Sequence, residues 1–131
     1  MNRTALQDYL SIENFCEIVN NTEKDIASHS IEYLINDDLS FSGILYRTET
    51  LGEIAKNLST SFTENFPQIP WSDIARTRDI IVHHYHDVDP QIIRKILEDQ
   101  IPILSSILPE LKKYAVEHLD PDDQKDIVAN Q

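Results

Sequence analysis

A chain of 131 residues with 40% hydrophobic residues suits one domain with a buried core, and this is not a disorder-type composition. Two glycines and short β-branched runs argue against an all-β fold full of tight turns. The net charge of −12 argues against a broad basic surface for nucleic acid, leaves room for a small basic cleft, and also suits an acidic face for a basic partner.

In chain order, the first helix is predicted from about Ala5 to Val19. Thr4 with Gln7 three residues on forms a capping box, and Ala5, Leu6, Tyr9, Ile12, Phe15, Cys16 and Val19 make its apolar face. Cys16 lies on that face as a core thiol, and a single cysteine forms no intramolecular disulfide. Asn20-Asn21 offers an end. Ile26, Ile31, Leu34 and Ile35 allow either a short second helix or an extension of the first. Asp37-Asp38 with Ser40 breaks the chain before a helix over about Phe41 to Leu58, with Ile44, Leu45, Leu51, Ile54, Ala55 and Leu58 inward. Gly52 inside that helix costs about 1 kcal/mol against alanine, so a close helix–helix contact is its expected reason. Glu49 and Glu53 flank it, one turn apart; such acids are mostly solvated, and one of the two could reach Arg78.

Residues 59–70, STSFTENFPQIP, read as a loop, with Pro70 placed to start a helix. That helix runs from Trp71 to near Val88. Asp89-Pro90 then caps the next one, whose apolar face is Ile92, Ile93, Ile96 and Leu97. Pro102 and Pro109 should kink or divide the segment that continues to about Tyr114. The expected architecture is all-α, an up-and-down bundle of four to five helices. Its domain covers residues 1–119, and residues 120–131 form an acidic, loosely held tail. No apolar run spans a bilayer and residues 1–10 lack a signal-peptide core, so a cytoplasmic protein without membrane contact is expected.

The stretch Trp71 to Asp89, WSDIARTRDIIVHHYHDVD, concentrates the chemistry. Trp71, Ile74, Ile81, Val82 and Tyr85 recur at helical steps, and Arg78 falls on the same stripe. A guanidinium does not lose its proton, so its head must reach water or meet an anion: a carboxylate, another subunit's acid or a phosphate. Arg78 and His83 are five apart, about 140° around the axis and about 7.5 Å along it. They bracket a site only from a groove or through a symmetric partner. Asp79 sits one turn from His83 and can accept a hydrogen bond from its imidazole, fixing the tautomer; His86 would extend that polar strip. Asp79 and His83 lack an assured third ligand, so no metal is expected. No glycine-rich phosphate loop is present, so no nucleotide cofactor fold is implied. Acid–base chemistry with an arginine remains. RNA cleavage by its own 2′-hydroxyl needs a base, an acid and a cation for the phosphorane charge, all of which histidine and arginine supply. The plainer alternative stays open: surface or interface histidines, with Arg78 in a structural ion pair.

The run Arg78-Asp79-Ile80-Ile81-Val82-His83-His84-Tyr85 resembles the R-x(4)-H-x-Y motif of the HepT-like family of the HEPN superfamily. LGEIAKNL (residues 51–58), FPQIPW (residues 66–71), the HDVD-P turn and ILEDQIPIL (residues 96–104) follow the family's order and spacing, so the resemblance covers about Leu6 to Tyr114. It implies an all-helical homodimer whose motifs form one composite cleft. It implies a metal-independent endoribonuclease, the toxin of a type VII toxin–antitoxin pair, with RNA rather than DNA as substrate and no cofactor. Arg78 and His83 would be the catalytic pair, with Asp79 in support. Tyr85 would match the tyrosine that the partner antitoxin, a minimal nucleotidyltransferase, modifies with AMP; phosphate charge beside His83 would repel RNA. Nothing is carried onto His84, and His86 is left aside. The alternative within the resemblance is a non-catalytic helical subunit that binds substrate for, or docks to, a nucleotidyltransferase.

Overall fold

The computed structural model describes residues 4–130, and among them every regular element is helical. The elements are α1 (Ala5–Ser28), α2 (Ile31–Asn36), α3 (Asp38–Asn57), α4 (Thr60–Glu64), α5 (Trp71–His83), α6 (Pro90–Lys95), a π turn (Ile96–Gln100), α7 (Ile101–Glu117) and α8 (Pro121–Ala129). Two helix pairs form the bundle: α1 packs along α7 and α3 along α5, and α1 joins them by touching α3. Ile12, Phe15 and Val19 of α1 and Leu104 and Leu111 of α7 are fully buried between the first pair. Each such side chain contributes roughly 1.5–3 kcal/mol by leaving water. No helix among the described residues is long and apolar enough to cross a membrane.

The helix starts follow local chemistry. Thr4 Oγ1 accepts from Gln7 N at 3.1 Å while Thr4 N donates to Gln7 Oε1 at 2.9 Å, the reciprocal box that the sequence predicts. Asp37 caps α3, accepting from Ser40 N at 3.0 Å, so the helix begins at Asp38, before the predicted Phe41, and ends at Asn57. The predicted end of α1 at Asn20-Asn21 is overridden. Thr22 is buried on the same stripe with its hydroxyl on Ile18 O at 2.8 Å, and Ile26 packs on the core, so tertiary burial carries the helix to Ser28. Both options for residues 22–36 are realised, an extension and a separate α2 capped by Ser30.

Other expectations are corrected. Residues 59–70 are not all loop: Ser59 caps α4, which buries Phe62, and Phe66 follows it into the core. Helix α5 stops at His83 rather than near Val88. His84 leaves helical geometry at φ −129° and ψ 33°, Asp87 N donates to His84 O at 2.9 Å, and Val88 is buried after this turn. Asp89 then caps α6, with Pro90 in its first turn. Pro102 does not break the last long helix. The π turn just before it, in which Ile101 N donates to Ile96 O, widens the helix where proline's ring would otherwise meet a carbonyl. Within residues 120–130, Asp120 caps the short helix α8, Gln124 donates to Leu119 O at 2.8 Å, and Ile127, partly buried, lies against the core.

Candidate active site

Helix α5 meets α3 across Gly52. A methyl group at Gly52 would lie 2.1 Å from Arg78 Cβ, 2.8 Å from Ile74 O and 3.0 Å from Arg78 Cγ. Only hydrogen fits, so the backbone of α3 forms the floor under the Arg78 stem. This is the close helix contact predicted for that glycine. On either side of Arg78 the α5 stripe is core: Ile74 and Ile81 are buried, and Trp71 packs on Phe15 with ring centroids 5.8 Å apart. Trp71 Nε1 also donates to Phe66 O at 3.1 Å, which ties the start of α5 to the preceding loop.

The stripe then divides. Val82 and Tyr85 are exposed, although the periodicity groups them with the core residues. Tyr85 lies beyond the helix end, in the turn, with its ring edge-on to His86 at 6.0 Å. His83 is the last residue of α5 and is exposed. His84 Nδ1 is 3.6 Å from Asp87 Oδ1, a contact within the same turn.

Arg78 retains 27% of its side-chain exposure, so its head emerges from the seam. Glu53 Oε2 lies 3.0 Å from its Nε, so Glu53 is the one of the two flanking acids that reaches it. The Nε atom itself is buried, and its N–H does not point at that oxygen well enough for a hydrogen bond; the pair is an ion contact. Arg78 Nη1 donates to Asp79 Oδ1 at 3.1 Å, and Lys56 Nζ donates to the same oxygen at 3.0 Å. Charges therefore alternate along the seam as Lys56, Asp79, Arg78, Glu53. The hydrogen bond from Lys56, and then that from Arg78, hold the Asp79 carboxyl below its ordinary range.

The hydrogen bond from His83 that the one-turn spacing allows to Asp79 is not made among the described residues; Asp79 Oδ1 is engaged by Lys56 and Arg78. The polar strip of Asp79, His83 and His86 is absent as well, because His86 follows the helix end. The structure thus brings Arg78 and Asp79 together with Glu53 and Lys56, and leaves His83 exposed at the end of α5 and Tyr85 exposed in the turn that follows. Lys56 is the residue that sequence reasoning misses. Its position four residues after Gly52 is the available signal, since a residue one turn from the crossing point flanks the facing helix. Among the described residues no group of three or more His, Cys, Asp or Glu side chains is placed to hold a metal ion.

Comparison with known proteins reaches most of the chain. The family model described as Ribonuclease HepT-like matches residues 6–111. The probable ribonuclease HepT of Thermococcus cleftensis is 30% identical over 107 residues, which is 82% of this chain and 96% of that protein. A provisionally named RNase of Methanocaldococcus jannaschii is 31% identical over 100 residues, 76% of this chain and 78% of its own. One of Caldanaerobacter subterraneus is 31% identical over 96 residues, 73% of this chain and 83% of its own. No solved structure matches.

Proposed function

The chain belongs to the Ribonuclease HepT-like family, and from that premise we propose that it is a metal-independent endoribonuclease using Arg78 and His83. The observation that carries the reading is the setting of Arg78. Its stem is fixed over Gly52 while its head stays partly open at the surface, five residues from an exposed histidine. In the reaction the 2′-oxygen of RNA bonds to the adjacent phosphorus and the P–O5′ bond breaks. His83 takes the proton from the 2′-hydroxyl or gives one to the departing 5′-oxygen, and Arg78 stabilises the charge on the phosphorane. A single copy holds one histidine on one face of α5, about 140° from Arg78. A homodimer with facing α5 ends supplies two of each in one cleft, and so both an acid and a base. Asp79 supports Arg78 directly in this scheme.

The finer reading is a toxin of a two-gene pair. Its antitoxin, a minimal nucleotidyltransferase, transfers AMP to the Tyr85 hydroxyl. The phenol is exposed, as a modifiable group must be, and the added phosphate would stand two residues along the chain from His83. A second reading has its own support. A net charge of −12 and two carboxylates already on Arg78 suit a non-catalytic subunit docked to a nucleotidyltransferase. Partner-free protein incubated with RNA in EDTA separates the two. Cleavage that is lost in His83→Ala and Arg78→Ala, with helix content unchanged, supports the nuclease. Full cleavage by His83→Ala sinks the assignment of that residue. No cleavage by the wild type favours the docking subunit. Incubation with the partner enzyme and ATP should add the mass of AMP at Tyr85, and a shift mapped elsewhere refutes that site.

A further inference from the structure

Glu53 has no part in the chemistry just described, yet it touches its central cation. An acid beside a phosphate-binding arginine acts in one of two opposite ways. Either it competes with the phosphate and weakens RNA binding, or it aims the guanidinium and strengthens it. Stability does not explain it, because half-exposed ion pairs contribute about 0–1 kcal/mol and the Glu53 side chain is 53% exposed.

The nitrogen it meets decides between these. Glu53 Oε2 approaches Nε, the atom nearest the stem, which is buried. With Glu53 beside it that atom is closed to solvent, so a phosphate arriving from solvent meets the outer nitrogens of the guanidinium. The rest of the geometry agrees. Gly52 fixes Cβ and Cγ of Arg78 against the α3 backbone, so only the outer torsions of the side chain remain free. Glu53 on one side and Asp79 on the other constrain those. Nη2 makes no hydrogen bond to the protein among the described residues. The contact at Nε is an ion contact at 3.0 Å rather than an aligned hydrogen bond.

Resting on the nuclease reading, we propose that Glu53 is a positioning residue: through Nε it holds the Arg78 guanidinium so that the outer nitrogens face an RNA phosphate. Misplacing a reacting group by about 1 Å can cost on the order of 100-fold. Glu53→Ala should therefore lower kcat by about 10- to 100-fold, while Glu53→Gln, which keeps an acceptor oxygen, stays within about threefold of wild type. In an Arg78→Ala background, Glu53→Ala should have no further effect, since it acts through the arginine.

The test measures kcat and KM on an RNA oligonucleotide, and the affinity of the same variants for its 2′-O-methyl analogue, which cannot cleave. Both variants should retain wild-type helix content because the side chain is largely exposed. A kcat loss in Glu53→Ala that Glu53→Gln rescues, and that vanishes without Arg78, is the expected result. Tighter analogue binding by Glu53→Ala would identify a competitor and overturn the proposal. So would an unchanged kcat, a loss that Glu53→Gln shares, or a loss that persists without Arg78. If the wild type binds the analogue but cleaves no RNA, the nuclease reading fails alone. Positioning then stands only if Glu53→Ala weakens binding to the level of Arg78→Ala and Glu53→Gln does not. A wild type that neither binds nor cleaves overturns both.

Discussion

Replacing Gly52 by alanine adds one methyl group at the tightest point of the α3–α5 crossing, and two effects of opposite sign follow. Alanine is the better helix former by about 1 kcal/mol. The new Cβ, however, would meet Arg78 Cβ at 2.1 Å and the Ile74 carbonyl at 2.8 Å. Carbon atoms pack at about 3.5–4.0 Å, so the helices must separate by about 1.5 Å. Neither neighbour is the free end of a side chain, and relief comes only from backbone movement. Overpacking of this kind costs about 1–3 kcal/mol, with backbone clashes at the upper end. The net expectation is a loss of about 2 kcal/mol, or roughly 6–10 °C in Tm for a domain of this size. Gly43 is the internal control. It also lies inside α3, but a methyl there meets nothing within 4 Å, so Gly43→Ala should stabilise by up to about 1 kcal/mol. Urea unfolding followed by far-ultraviolet circular dichroism measures both. If the two variants shift the midpoint in the same direction, the close-approach argument is wrong.

Cys16 is 1% exposed, and burial pushes its thiol up from 9.0 to about 11. The folded state holds the proton more tightly than the unfolded chain. This contribution to stability is therefore complete below about pH 9 and declines as pH rises towards 11. The urea midpoint of the wild type should fall more steeply between those values than that of Cys16→Ala, and native protein should resist alkylation at pH 8. Equal slopes, or fast labelling, would contradict it. Asp8 is buried and accepts from Ser59 N at 3.1 Å and from Ser59 Oγ, tying α1 to the start of α4. Asp8→Ala leaves the part-buried Ser59 N–H without that acceptor and should cost about 1–2 kcal/mol in the same unfolding assay. A change under 0.5 kcal/mol would show that water replaces the carboxylate.

What the sequence made legible was local or periodic. The Thr4–Gln7 box, the start of α5 after Pro70 and the Asp89-Pro90 cap depend on residues within one turn of each other. The need for a close contact at Gly52 was readable because a glycine inside a helix carries a cost that something must offset. What that contact would be against was not. The end of α5 misled for a physical reason. Val88 is buried, as a continuing stripe requires, but it returns to the core through a turn instead of a helix. Asp79 and His83 share a helix face at one-turn spacing, yet Lys56 and Arg78 take the carboxylate. A pattern along one helix cannot reveal a competing cation supplied by another. In the same way α4 was hidden because its five residues are too few to show a period, and the buried Phe62 shows itself only in three dimensions.

The π turn at Ile96–Gln100 has a consequence for how this protein can be recombined. A turn closed one residue wider than an α-helical turn behaves as a single insertion absorbed without a loop. It rotates all that follows by about 100° relative to an uninterrupted helix. The stripe Leu104, Leu108 and Leu111 faces α1 only with that rotation in place. A chimera joined within residues 96–100 to a helix lacking the extra residue would keep its composition but turn its leucines to water. Crossovers in this half of the molecule are therefore tolerated at the turn of residues 84–89 or at Asp120, and the run from Pro90 to Glu117 passes between relatives only as a block.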